Sequence, residues 1–100
     1  MKYGLKERII NKLVEKFQEN DKIEEVILFG SRAKGNYKNG SDIDLAIKGK
    51  ELNLVDLNEL LIKIDELYLP YEIDIINYSK IKNKDLIEHI NRIGILLYRK

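Results

Sequence analysis

A chain of 100 residues, 44% of them hydrophobic, can build one modest hydrophobic core, and a separate acceptor-binding domain is not expected. Its formal net charge of +1 argues against the basic surface that attracts nucleic acid or anionic membranes, so nucleic acid is not expected as a direct ligand. The lack of cysteine excludes disulfides and thiolate chemistry, and no segment approaches the roughly 20 apolar residues of a membrane span. These features predict a single cytoplasmic domain over residues 1–100.

The first third of the chain alternates between helical and extended patterns. Apolar residues over 5–17 recur at three- and four-residue steps, which predicts an amphipathic helix. The apolar run over 26–29 predicts a short strand that is covered on both faces. Ser31 is predicted to cap a short helix that ends at Gly35, and a loop rich in Asn and Gly follows.

Two later strands are predicted to carry acidic residues. Acidic and apolar residues alternate over 42–47, which predicts a strand with Asp42 and Asp44 on one face, about 7 Å apart at the backbone. Another strand is predicted over 72–76, where Asp74 faces away from its isoleucine neighbours. The sequence therefore offers three strand carboxylates.

Helices separate and follow these strands. Apolar residues over 54–68 form the clearest helical stripe of the chain, and Pro70 ends it because proline disfavours helix at the preceding residue. A last helix is predicted over 81–93 and a small strand over 95–98. The alternation predicts an α/β fold, or a compact α+β variant, with helices covering a small sheet.

The predicted carboxylates suit a metal ion that is shared with a nucleotide. Unpaired carboxylates repel each other, whereas Mg²⁺ binds through one or two of them while nucleotide phosphates complete its shell. Asp42 and Asp44 are candidates for this role, and Asp74 would add a third acid, enough for two metal ions. An Asp-x-Asp motif alone is more often a pair of solvated polar residues at the start of a strand. The flanking residues are therefore needed to identify a metal site.

The residues from 30 to 34 suit a phosphate group. Gly30 has no side chain, so its backbone can come close to a ligand, and the amides of Ser31 and Arg32 can point at phosphate oxygens. Arg32 or Lys34 would neutralise part of the charge of a triphosphate. Arg is the better partner for phosphate, because its planar guanidinium can donate two parallel hydrogen bonds.

Two other kinds of binding loop do not fit these residues, and two further side chains have less specific roles. A Walker A loop is excluded because Asn36 and Tyr37 stand where Lys-Ser/Thr is required, and apolar residues over 45–47 disfavour a calcium loop. Tyr37 fits contact with a nucleotide and an exposed loop position equally well. His89 is predicted to be solvated or to cap a backbone group rather than to act in catalysis.

Together these motifs resemble a known family. Residues 30–35 (Gly-Ser-Arg-Ala-Lys-Gly), residues 41–45 (Ser-Asp-Ile-Asp-Leu) and the strand acid Asp74 resemble the signature of the DNA polymerase beta-like nucleotidyltransferase superfamily. The resemblance is specifically to its minimal nucleotidyltransferase (MNT) branch, with the MntA-type antitoxins of HEPN/MNT toxin–antitoxin systems. It covers nearly the whole chain and implies the nucleotidyltransferase fold, a small mixed sheet flanked by helices.

The resemblance also implies an activity and a site. Members of the branch bind ATP with Mg²⁺, here expected as two ions, and transfer AMP to a hydroxyl group while pyrophosphate leaves. Carried over to this sequence, Gly30 and Ser31 would hold the triphosphate, Asp42 and Asp44 would hold the metals, and Asp74 would complete the site and help to activate the acceptor.

The implied partner is a HEPN ribonuclease toxin, which some members silence by attaching AMP to a toxin tyrosine. Two alternatives stay open. One is an antitoxin that neutralises its partner by occlusion without catalysis, and the other is a nucleotidyltransferase for a small-molecule acceptor. A homo- or hetero-oligomer is compatible with each of them.

Overall fold

The computed structural model describes residues 1–100 as a mixture of helices and strands. The helices are α1 (Glu7–Gln18), α2 (Gly30–Lys34), α3 (Leu54–Asp65) and α4 (Lys84–Ile93). The strands are β1 (Ile23–Phe29), β2 (Ile43–Gly49), β3 (Ile73–Asn77) and β4 (Ile95–Arg99), and one turn of 3₁₀ helix spans Tyr78–Lys80. No helix is both long enough and apolar enough to cross a membrane.

The four strands form one mixed sheet in the order β3-β2-β1-β4. β1 is antiparallel to β2 and to β4, whereas β3 runs parallel to β2 and forms an edge of the sheet. The register places Asp44 of β2 between Phe29 of β1 and Asp74 of β3. The predicted class, a small mixed sheet flanked by helices, is confirmed.

The two faces of the sheet carry different side chains and pack against different helices, because successive strand residues point to opposite sides. One face packs against α1 and α3 and forms a core of buried side chains. Its strand members on β2 are Ile43, Leu45 and Ile47, all without solvent exposure. Asp44 and Ala46 therefore face the other side, where α4 packs against β1.

The short helix α2 begins differently from the prediction. Phe29 is its N-cap residue and no side chain caps it, so the prediction that Ser31 caps this helix is wrong. The N-cap therefore lies two residues earlier than predicted, and the first helical residue, Gly30, adopts a φ of 74°, which glycine reaches without steric cost. Its predicted end is confirmed, since Gly35 lies in the left-handed region with a φ of 94°.

The longer helices differ from the prediction mainly at their ends. α3 begins with a capping box, in which Asn53 and Asp56 each accept a hydrogen bond from the other's backbone amide. It stops at Asp65, well before Pro70. α4 begins later than predicted because the side chain of Asn83 accepts hydrogen bonds from the amides of its first turn.

Candidate active site

Two of the predicted acids meet across neighbouring strands. Asp44 of β2 is the register partner of Asp74 of β3, and paired residues on adjacent strands present their side chains on one face. Asp42 lies just before β2 in an exposed position. The three carboxylates therefore lie at one end of the sheet, with Asp44 in the middle.

The charges around Asp44 are not balanced by any basic side chain. Partial burial raises the pKa of Asp44 above its ordinary value of 3.8, and the negative charges of Asp74 and Asp42 raise it further. A hydrogen bond with Asp74 acts in the same direction. No ion pair of the structure involves any of the three acids. The site thus concentrates negative charge.

This set of oxygen donors fits a hard divalent cation. Two adjacent carboxylates without a basic partner are what Mg²⁺ uses when phosphate oxygens and water supply its other ligands. The structure contains no group of three or more His, Asp or Glu side chains arranged to enclose a metal ion. The carboxylates therefore suit a metal shared with a nucleotide better than a cage made by the protein alone.

The Gly30 turn contacts the acids directly. A Cβ atom at position 30 would overlap with the Oδ2 atom of Asp44, so no larger residue fits without displacing that carboxylate. The positive φ of Gly30 adds a second requirement for glycine. The structure thus brings together the phosphate turn and the acids that the sequence identified separately.

The neighbours of Gly30 point in different directions. Ser31 is half-buried, and its carbonyl oxygen accepts a hydrogen bond from the amide of Gly35 at 2.9 Å. Lys34 is exposed. Arg32 is buried, with a relative exposure of 2%.

The sequence suggested that the side chain of Arg32 neutralises part of the charge of a triphosphate. In the structure its guanidinium holds the loop before β2. It donates hydrogen bonds to the carbonyl oxygens of Tyr3 at 3.0 Å, Ser41 at 2.8 Å and 3.2 Å, and Asn39 at 3.4 Å. All of its donor nitrogens are engaged. Arg32 therefore fixes the loop that leads into Asp42, and most of its guanidinium N–H groups are occupied there.

Two aromatic rings complete this arrangement. The guanidinium carbon of Arg32 lies 5.4 Å from the ring centroid of Tyr37 and 4.9 Å from that of Tyr71. The ring of Tyr37 also packs so closely on Gly4 that a Cβ there would overlap with it. Tyr37 thus joins the loop to the first residues of the chain. No local pattern reveals these contacts, because they connect four separate segments.

The sequence did not identify His89 as part of the site. His89 of α4 is half-buried, and its Nε2 atom accepts a hydrogen bond from the amide of Gly30 at 3.2 Å. Its ring stands edge-on to that of Phe29, with centroids 6.2 Å apart and an interplanar angle of 84°. The sequence predicted that His89 is solvated or caps a backbone group, but it did not indicate that this group is the amide of Gly30.

Comparison with known sequences identifies related proteins. The sequence model of the family described as "Polymerase beta, Nucleotidyltransferase" matches residues 11–100. A protein of Methanocaldococcus jannaschii, named "Putative protein adenylyltransferase MJ0141", is 38% identical over 78 residues. That match covers 75% of this chain and 79% of the relative.

Two solved structures share the fold. A chain in a crystal structure of a toxin–antitoxin with AMP-PNP has a TM-score of 0.74 and 24% identity, over 91% of this chain and 73% of that chain. A chain in the complex of a tri-AMPylated Shewanella oneidensis HEPN toxin with an MNT antitoxin has a TM-score of 0.72 and 19% identity. The latter match covers 96% of this chain and 74% of that one.

Proposed function

This chain belongs to the polymerase beta nucleotidyltransferase family, and from that membership we propose that it transfers AMP from ATP to a hydroxyl group of a partner protein. The enzyme class, nucleotidyltransferase, follows from the family. The observation that carries the finer proposal is the pair of carboxylates Asp44 and Asp74, of which Asp44 packs directly against Gly30.

In the proposed reaction an acceptor oxygen attacks the α-phosphorus of ATP. A bond forms between them, the bond from that phosphorus to the oxygen bridging to the β-phosphate breaks, and pyrophosphate leaves with the electron pair. Asp74, which lies on the exposed edge strand β3, is assigned to take up the proton of the acceptor hydroxyl. Asp44 and Asp42 are assigned to metal binding on the side of the site that receives the α-phosphate.

Asp42, Asp44 and Asp74 would hold Mg²⁺, expected as two ions, together with phosphate oxygens of ATP, and the bound metal would neutralise phosphate charge and lower the pKa of the attacking hydroxyl. The turn at Gly30 and Ser31 is assigned to the triphosphate, with amides and the Ser31 hydroxyl as donors. Arg32 contributes its backbone amide, since its side chain is occupied.

A partner of the HEPN type supplies the acceptor in this proposal. The two solved structures described above are toxin–antitoxin complexes, and in one of them a HEPN toxin carries AMP. We therefore expect a tyrosine of a HEPN toxin as the acceptor and a hetero-oligomer as the working assembly. Because the donor is ATP, we expect the reaction to take place in the cytoplasm.

The edge strand β3 offers a surface for a partner. A cavity of about 370 Å³ lies along β3, lined by apolar side chains and by two lysines. Its lining includes Ile76, Leu86, Lys80 and Lys82. A protein segment bound there would lie along β3, the strand that also carries Asp74.

The experiment incubates this protein with ATP, Mg²⁺ and the product of a neighbouring HEPN gene. ATP labelled at the α-phosphate should label the toxin, and ATP labelled at the γ-phosphate should not. The double variant Asp42→Asn with Asp44→Asn should lose transfer, whereas Asp65→Asn, an exposed acid at the end of α3, should keep it. Equal labelling by the double variant and the wild type would overturn the proposal.

One observation favours a second candidate, neutralisation by binding alone. α3 exposes three large apolar side chains, Leu54 at 73%, Val55 at 62% and Ile62 at 59%. Val55 and Ile62 are seven residues apart and lie on one side of the helix, as in a contact surface for a protein. This reading gains support if the double Asp variant still neutralises the toxin at equimolar dose.

A further inference from the structure

We propose that His89 is a positioning residue for nucleotide binding and transfer, an inference that rests on the proposed function. It is the residue of α4 that reaches the Gly30 turn, and it does so across 59 residues of sequence. The backbone amide of Gly30 donates to its Nε2 atom at 3.2 Å. This contact ties α4 to the turn assigned to the triphosphate.

The hydrogen bond determines the chemical state of the ring. Because Nε2 accepts a hydrogen bond from the amide of Gly30, its lone pair faces that amide and it carries no proton, so the ring proton of His89 is on Nδ1. The edge-on contact with Phe29 restricts rotation of the ring. Nδ1 has no partner within the protein and is not buried, so the side chain is held through Nε2 and the ring edge alone.

Gly30 is held from two sides at once. Its amide is bound by His89, and its Cα lies against the carboxylate of Asp44. Its φ of 74° belongs to a region where the backbone needs support from its surroundings. A shift of Gly30 would therefore move the turn relative to Asp44. Gly30 thus links the position of the turn assigned to the triphosphate to the position of the Asp44 carboxylate.

The same bond removes one phosphate donor from the turn. An amide that donates to His89 is not free for a phosphate oxygen, so the amide of Gly30 supports the turn rather than binding the ligand. The ligand contacts then fall to the amides of Ser31 and Arg32 and to the Ser31 hydroxyl. Because each role is assigned to a different residue, the amide of each residue can be observed separately to test the assignment.

Three variants test the role of the ring nitrogen. His89→Phe keeps an aromatic ring against Phe29 but has no acceptor, and His89→Gln keeps an acceptor at similar reach. Glu88→Gln is the matched control, because Glu88 is an exposed neighbour on the same helix. For each, KM for ATP and kcat of AMP transfer are measured in the same assay, together with the melting temperature.

His89→Phe should raise KM for ATP and lower kcat, with a combined loss in kcat/KM of roughly ten- to a hundred-fold. His89→Gln should recover most of this loss, and Glu88→Gln should match the wild type. A purely structural role would instead lower the melting temperature and the active fraction while leaving KM unchanged. His89→Phe that folds and keeps both constants within about twofold of the wild type overturns the inference.

A measurement on the wild type needs no variant. In amide NMR spectra, titration with Mg²⁺ and a non-hydrolysable ATP analogue should move the amide signals of Ser31 and Arg32 strongly and that of Gly30 little. The ring nitrogens of His89 should report the Nδ1–H form before and after. Loss of the Gly30–His89 bond on binding contradicts the inference, whereas a wild type that binds no nucleotide contradicts the proposed function itself.

Discussion

Replacing Arg32 distinguishes its structural contacts from a contact with the triphosphate. Arg32→Met removes a buried guanidinium that donates to the carbonyl oxygens of Tyr3, Asn39 and Ser41. A carbonyl that loses its partner costs about 1–3 kcal/mol, and the lower end applies here because these groups are only partly buried. The two aromatic contacts add about 0.5 kcal/mol each.

The expected destabilisation is therefore about 4 kcal/mol, a large part of the 5–15 kcal/mol that is typical of a domain. At 4–8 °C per kcal/mol for a domain of this size, the melting temperature should fall by at least about 16 °C. Arg32→Lys should recover only part of this, since an ammonium group cannot reach three carbonyls. Lys34→Met, an exposed basic residue on the same short helix, is the control and should change little.

Thermal unfolding followed by circular dichroism measures the first effect, and calorimetric titration with an ATP analogue measures the second. If Arg32→Met melts within about 3 °C of the wild type while its nucleotide affinity falls tenfold or more, the reasoning is refuted. Arg32 would then be a triphosphate ligand, as the sequence alone suggested.

Three further predictions concern Asp44, the glycines and α3. Asp44→Asn should raise the melting temperature at neutral pH while abolishing transfer, because burial and neighbouring acids raise the pKa of Asp44 and so penalise its charged form in the folded state. This gain should shrink as the pH falls through the raised pKa towards 3.8, which unfolding curves at several pH values will show. Gly30→Ala and Gly35→Ala both strain a positive φ, at about 1–2 kcal/mol each, but only Gly30→Ala should abolish transfer in the label assay, because only its Cβ meets Asp44. Asp56→Asn should destabilise the protein above pH 3.8 and lose that effect in more acidic solution, since Lys22 and the capping box lower the pKa of Asp56.

The sequence predicted the elements well because their signals are local. Apolar periodicity located α1 and α3, and the alternation around Asp44 correctly separated the buried β2 residues Ile43, Leu45 and Ile47 from Asp44. Element ends were less certain. Ser31 has a typical capping side chain, yet the turn begins at Gly30 because a positive φ there overrides the local preference.

Contacts between distant segments are the part that the sequence could not supply. A basic residue beside a glycine in a phosphate-binding motif is a reasonable phosphate ligand, so nothing local predicts that Arg32 turns inward. Its partners, Tyr3 and Tyr71, lie far away in the chain. His89 illustrates the same limit, since its bond to Gly30 depends on how α4 packs against the sheet.

The central claim is that this chain attaches AMP to a hydroxyl group of a partner protein, with Asp74 acting on that hydroxyl. The most direct test is the intact mass of the HEPN partner after incubation with ATP and Mg²⁺. Wild-type protein should add the mass of AMP, and Asp74→Asn should slow the addition by about 10²–10⁴-fold while still binding the nucleotide. An unchanged partner mass with the wild type, or equal rates for Asp74→Asn and the wild type, would contradict the account.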